Sequence, residues 1–376
     1  MSVEGIIFSN IHDNNISELT RRRTLAAVPF GCRYRLIDFP LSNMVNSNIT
    51  DIKVITQYNY HSLMDHIGAG KDWDLARRSG GIQILPPYIT GYAGGNAKAS
   101  TRLEALKSVS HSITSINADY IVMSDCDVIC NIDLNAMIDA HVASGADVTM
   151  AVKRMELNPA TARKNTLVFS SKEGRVTDLL LYPTNFQGAA DIALNILVIN
   201  RKYLQDLVLD AVAHGYTSLT RDIFLKNLPY RNFRVYKYDG YFGCISSFEE
   251  YFASNMQLIE NEEMFNSLFN VETRPVFTKV RNSAPTYYND GAVAKDSLIA
   301  DGCVIEGTVE NSILFRGVKV GKGAVVKNSI LFQDTVISAN ASVNYTVCDK
   351  NVVIRDGVTL SGHSTLPLYV EKGKMV

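Results

Sequence analysis

Arg21-Arg22-Arg23 is a place where this chain could grip phosphate, because guanidinium groups match phosphate oxygens in geometry. The plainer alternative for such a run is a solvated stretch. Asp125 and Asp127 close an apolar run at Tyr120–Met123, and Asp133 follows; each could cap a turn. Six cysteines, at 32, 126, 130, 244, 303 and 348, form no Cys-x-x-Cys pair and have no histidines at zinc spacing. They read as reduced thiols in a cytoplasmic protein. His61 and His66, five apart around a helix, suit contacts with neighbours rather than a metal. Gly91-Tyr92-Ala93-Gly94-Gly95 is too loose for a dinucleotide loop.

These residues must be positioned by a chain of 376 residues, a length that predicts two domains. The composition, 46% hydrophobic and 20% charged, is that of an ordinary globular protein. A net charge of −1 argues against electrostatic binding to nucleic acid or an acidic membrane. The first residues, MSVEGIIFSN, lack a basic n-region and read as a strand, not a signal peptide. No apolar stretch approaches the roughly 18 residues that span a bilayer.

Strand-like runs fall at Gly5–Ser9, Ile52–Thr56, Ile82–Leu85, Tyr120–Met123, Val148–Val152 and Ile192–Ile199. Helical patterns fall at Asn96–Ser108, Leu134–Ala143, Lys202–Ala213 and Phe248–Ile259, the last with Tyr251, Phe252, Met256 and Leu258 as candidate buried positions. Such alternation predicts a mostly parallel sheet covered by helices, with ligands outside the carboxyl ends of the strands.

From about Asn270 the texture changes. Residues 271–285 read as a linker, and a six-residue aliphatic step follows: Ile299 and Ile305; Val320, Val326 and Phe332; Ile337 and Val343; Ile354 and Leu360. Hexapeptide periodicity predicts a parallel β-helix over 286–376, and the phase slips between runs predict loops that interrupt its coils. A stacked coil exposes an end and an edge, so oligomerisation through this part is expected.

The most specific stretch is Ala27–Val45, AVPFGCRYRLIDFPLSNMV, continued by Asp51–Tyr58. It resembles the signature of glucose-1-phosphate adenylyltransferases (ADP-glucose pyrophosphorylases), which read PAVPFGGKYRIIDFPLSN there. Trp73-Asp74-Leu75, Gly80-Gly81-Ile82 and Leu85-Pro86-Pro87-Tyr88 resemble that family's WDL…GGVTILPPY run. Gln57 matches its adenine-side strand end, and Gly95-Asn96-Ala97-Lys98-Ala99 half-matches Gly-Thr-Ala-Asp-Ala. The resemblance covers nearly the whole chain. It implies an α/β nucleotidyltransferase (Rossmann-like) domain at 1–270, the linker, and a C-terminal left-handed parallel β-helix.

The reaction it implies is attack of a glucose-1-phosphate oxygen on the α-phosphorus of ATP. That chemistry needs a glycine cradle for phosphates, a cation on the β/γ oxygens and Mg2+ held by carboxylates. Against the family's Gly-Gly-x-Gly-Thr-Arg loop this chain has Ser9-Asn10-Ile11-His12-Asp13-Asn14-Asn15, so its arginine becomes Asn15 and Asp13 adds negative charge where triphosphate oxygens would lie. The family lysines fall on Leu25 and Tyr182. Of the two metal aspartates, one is matched by Asp127 and the other falls on Cys244, a soft ligand unsuited to Mg2+. Losing one such stabiliser typically lowers turnover on the order of 100- to 1,000-fold.

Matches therefore lie in the framework and departures on the catalytic charges, the pattern of the non-catalytic GlgD-type subunits. The resemblance implies a chain without independent catalysis that does not hold Mg2+ productively and assembles with a catalytic subunit, as a heterotetramer, or with itself. The segments around Arg21–Arg35 and the β-helix are its expected interface. It also implies a sugar-phosphate or phosphate effector near Arg21, Arg22, Arg23, Arg33 and Arg35. The alternatives are an active adenylyltransferase with a rebuilt site, and a stand-alone sugar-phosphate or nucleotide sensor. His363 invites comparison with hexapeptide acyltransferases, whose coil domain, unlike this one, dominates the chain.

Overall fold

The computed structural model describes residues 1–86 and 99–376. Gly91–Gly95, Asn96 and the start of the helix expected from Asn96 lie outside the described residues; that helix is seen at Arg102–Ser108.

A nine-stranded sheet organises the first unit. Val3–Phe8 lies between Tyr120–Asp125 and Asp51–Ile55, parallel to both, and Gly81–Leu85 adds a further parallel strand. Beyond Tyr120–Asp125 the sheet turns antiparallel through the long strand Gly188–Asn200, which pairs with Val148–Leu157 and Thr166–Ser170. The parallel half carries the candidate site. Phe8 is in register with both Asp125 and Ile55, so the loops that follow these strands emerge together at one edge.

The apolar pattern of Phe248–Glu260 is borne out: Tyr251, Phe252, Met256 and Leu258 are all buried. Ser247 caps this helix by accepting from Glu250 N. A second helix, Glu262–Phe269, follows at once, started by Asn261.

The C-terminal unit is a prism of three parallel sheets, five strands each. Ile305, Val320, Val326, Phe332, Ile337, Val343 and Ile354 are buried inside it, as the six-residue step requires. The slipping phase has a different cause from the inserted loops expected. Lys319 lies over Val304 and Val336 over Lys319, so the coils run 15 and 17 residues rather than 18. Shortened corners, with Asn328, Asp334, Asn340 and Asn351 at positive φ, absorb the difference. An insertion occurs only in the last turn, where Thr346 pairs with Leu368.

The two units share one apolar core. Phe30, Phe39 and Tyr251 from the first pack in the same cluster as Phe315 and Phe332 from the prism. Tyr251 meets Phe332 edge-on at 6.4 Å between ring centroids, and Phe248 meets Tyr369 at 5.7 Å. Residues 271–286 contain no helix or strand but are strapped down: Phe277 N donates to Ser42 Oγ at 2.8 Å, and Asn131 Nδ2 donates to the carbonyl of Arg274 at 2.8 Å.

This packing limits what the motif segment presents at the surface. Ala26, Ala27, Val28, Phe30, Leu36 and Ile37 are wholly buried inside the chain. The motif segment welds the chain's own units together, so its apolar residues are spent inside the chain. Around it only Arg21, Arg22 and Arg33 are exposed.

Candidate functional site

At the carboxyl edge of the parallel strands lies a cavity of about 380 Å³, lined among others by His12, Asn15, Arg102, Asp127, Tyr182 and Cys244. Asp125 ends its strand, and Asp127 follows the turn. Cys244 comes beside Asp127 because Gly243–Cys244 pairs antiparallel with Val128–Ile129. The register between Phe8 and Asp125 brings His12, four residues past the first strand, over the same carboxylates.

His12 Nε2 lies 3.0 Å from Asp125 Oδ2 and 3.6 Å from Asp127 Oδ2. Arg102 forks onto Asp125, Nε to Oδ1 at 2.8 Å and Nη2 to Oδ2. The Cys244 thiol donates to Asp127 Oδ2 at 3.4 Å, and Asp127 Oδ1 is buried without a hydrogen-bond partner among the described residues.

The electrostatics follow from these contacts. Burial alone would raise Asp125, but Arg102 and His12 outweigh it and hold that carboxyl at about 2. Asp127 is raised, by burial first and then by the charge of Asp125. His12 is raised because the two aspartates overcome the penalty of burial. Burial and the neighbouring Asp127 push the Cys244 thiol well up, so it stays protonated. Arg102 thus stands on Asp125, and the His12 imidazole beside both aspartates.

Magnesium does not fit this donor set. It wants near-octahedral oxygen ligation, whereas an imidazole sits between the two aspartates and the position beside Asp127 is a neutral thiol.

The other expected residues fall as follows. Asn15 is exposed in the short 3-10 turn Asp13–Ile16 and lines the cavity. Asp13 does not face the cavity holding Asp127: it is buried and accepts from Leu25 N at 2.8 Å, so its carboxylate organises its own loop. Leu25 is a core residue, 1% exposed. Tyr182 lines the cavity mouth at φ 49°. Gln57 makes a reciprocal amide pair with the backbone of Ala99, 2.8 and 2.9 Å, and so pins the chain there. Gly81 has φ +88°, and a Cβ on it would stand 2.4 Å from the carbonyl oxygen of Leu75; the backbone demands it whether or not a nucleotide binds. Asp133 is a helix cap, accepting from Asn135 N. His66 contacts Asp38 at 2.6 Å, and exposed His363 contacts Thr365.

The arginines divide. Arg23 is buried with Nη2 2.6 Å from each oxygen of Asp349 in the β-helix. Arg35 donates to Ser62 O at 2.5 Å, and exposed Arg21 pairs with Glu371 at 3.0 Å. Arg21, Arg22 and Arg23 line one crevice with Lys372. Arg33 lies over the Tyr34 ring instead. Sequence reasoning missed Lys350, which burial first, then Arg35 and Arg23, push down to about 6. It also missed His12 and Arg102 as members of the site. Their signal was positional: a histidine in the loop after the first strand, and an arginine at the start of a helix following a strand end.

The fold is that of the nucleotidyl transferase family. Residues 14–211 match the nucleotidyl transferase family, and 284–364 match the GlmU-like C-terminal hexapeptide family. The chain is 35% identical over 373 residues to the glycogen biosynthesis protein GlgD of Bacillus subtilis (strain 168), covering 98% of this chain and 95% of that protein. It is 35% identical to GlgD of Geobacillus stearothermophilus, over 86% of this chain and 82% of that one. It is 33% identical to the glucose-1-phosphate adenylyltransferase of Thermosipho melanesiensis, over 86% and 78%. The chain belongs to the glucose-1-phosphate adenylyltransferase family, which takes in both kinds of protein. Its prism is accordingly a left-handed β-helix of hexapeptide repeats. Among the described residues, no helix is long and apolar enough to cross a membrane.

Proposed function

We propose that this chain acts in glycogen biosynthesis as a GlgD-type subunit that assembles with a catalytic glucose-1-phosphate adenylyltransferase subunit, does little adenylyl transfer itself, and tunes its partner. One observation carries the reading: His12 stands 3.6 Å from Asp127, the one matched metal aspartate, and a thiol, Cys244, stands where the second is expected. A magnesium ion brought there would have to displace the His12 imidazole from Asp127, and the neutral Cys244 supplies no second carboxylate. A subunit without turnover can still change its partner's affinity or rate, provided its contacts differ between the partner's states.

The effector component of this reading is supported by Arg23, Arg35 and Lys372 converging on Lys350 at the junction of the two units. A half-buried lysine pushed down by burial and then by neighbouring cations is poised to gain its proton when a phosphate arrives. The test is to purify the chain alone and with a catalytic partner, and to measure ADP-glucose formation with Mg2+. Altered kinetics of the mixed assembly with negligible turnover by the isolated chain is the expected result. Robust turnover by the isolated chain defeats it.

A further inference from the structure

A pocket unsuited to magnesium still holds a donor set of its own. Donor atoms of His12, Asp125 and Asp127 all lie within 4.8 Å of one another. His12 Nε2 is 3.0 Å from one carboxylate oxygen and 3.6 Å from the other. Metal–donor bonds of about 2.0–2.2 Å in a tetrahedron place donors roughly 3.3–3.6 Å apart, close to the two His12 separations, so one ion fits among these atoms once the carboxylates draw together. The cavity also contains an unmet demand: Asp127, 2% exposed, lines it and keeps Oδ1 buried and unpartnered among the described residues. A buried acceptor in that condition costs free energy until something fills it.

The chemistry of the donors selects the ion. One imidazole nitrogen with two carboxylates suits Zn2+ and its neighbours in the Irving–Williams order, which tolerate four ligands and accept nitrogen, better than Mg2+. Cys244 Sγ, 3.4 Å from Asp127 Oδ2, adds a polarisable atom at the rim. Arg102 holds Asp125 through Nε to Oδ1, orienting that carboxylate as outer-shell partners orient metal ligands, and the ion would take the place of its Nη2 on Oδ2.

We propose that this pocket binds a borderline-soft divalent cation of the Zn2+ class through His12, Asp125 and Asp127, with the fourth position open to the cavity. The proposal rests on the reading that the pocket no longer seats magnesium triphosphate. The test titrates the full, metal-stripped chain with Zn2+, Co2+ and Mg2+ by calorimetry, with Co2+ read also by visible absorption. One Zn2+ per chain, a four-coordinate Co2+ spectrum and no heat with Mg2+ are expected. His12→Gln and Asp127→Asn each weaken Zn2+ binding at least about tenfold, and the surface control His61→Gln leaves it unchanged. His12 lies in a partly exposed loop, so its variant reports even if Asp127→Asn fails to fold. Equal Zn2+ affinity in the wild type and His12→Gln, or Mg2+ binding as tight as Zn2+, overturns the proposal. Absent Zn2+ binding with no ADP-glucose formed sinks this inference alone; Mg2+-dependent turnover by the isolated chain sinks the reading beneath it.

Discussion

Arg23 reaches out of the α/β unit and sets its Nη2 2.6 Å from both carboxylate oxygens of Asp349 in the β-helix, with both side chains buried. Tyr369 donates its hydroxyl to the same carboxylate at 2.7 Å. The junction is therefore closed by a desolvated ion pair set into a shared apolar core.

Removing one partner of such a pair strands a buried charge. Arg23→Ala should cost about 3–5 kcal/mol in urea unfolding, whereas replacing both groups, Arg23→Met with Asp349→Leu, should recover most of that loss. An Arg23→Ala variant as stable as the wild type would show that the pair carries no such weight.

Restoring a single lost carboxylate should not restore chemistry. Cys244→Asp is expected to leave ADP-glucose formation by the isolated chain at background, because His12 and Arg102 still stand on Asp125 and Asp127. A radiolabel assay with Mg2+ and ATP reads this directly. A gain of more than about tenfold would mean that Cys244 alone had blocked the site.

Lys350 predicts a phosphate response. Its folded value, about 6, lies far below that of a free lysine, so the unfolded chain binds more protons between those values and this group's contribution to stability rises with pH across that window. Inorganic phosphate or a sugar bisphosphate should raise the melting temperature at pH 7 with proton uptake. Lys350→Met should be more stable without ligand and respond less to it, as calorimetry in two buffers of different ionisation enthalpy would show.

His141 sets an acid limit. Burial pushes it down to about 4, while the unfolded residue titrates near 6.5. Protons then favour the unfolded chain, so stability falls as pH drops from about 6.5 to 4. The loss from this residue should be on the order of 1–2 kcal/mol after allowance for screening. His141→Gln, able to keep a contact with Thr149, should flatten that part of the pH profile.

Much of this was legible in the sequence because it follows from periodicity. The six-residue step placed the β-helix, and the apolar spacing around Tyr251 placed its helix. The departures at Asn15, Tyr182 and Cys244 pointed to residues that the fold gathers around one cavity, while Leu25 lies in the core. What filled the vacated positions was not legible. His12 meets Asp125 only because two strands far apart in sequence share a register, and Arg102 reaches the same carboxylate from a helix start. Asp13 was hard to place for a related reason: a loop carboxylate turned inward to Leu25 N looks, in one dimension, like a charge facing bound phosphate. Coil lengths of 15 and 17 likewise arise from corner geometry, which the apolar step alone does not encode.

The unbroken run of side chains from Phe30 through Tyr251 to Phe332 has a consequence for how this molecule can be cut. There is no seam between its halves along which a protease or a designer could divide it and leave two folded pieces. Deleting the β-helix would uncover rings that the transferase half has no other means of hiding. Whatever the pocket has given up, its walls remain bound to the solenoid as one cooperative body.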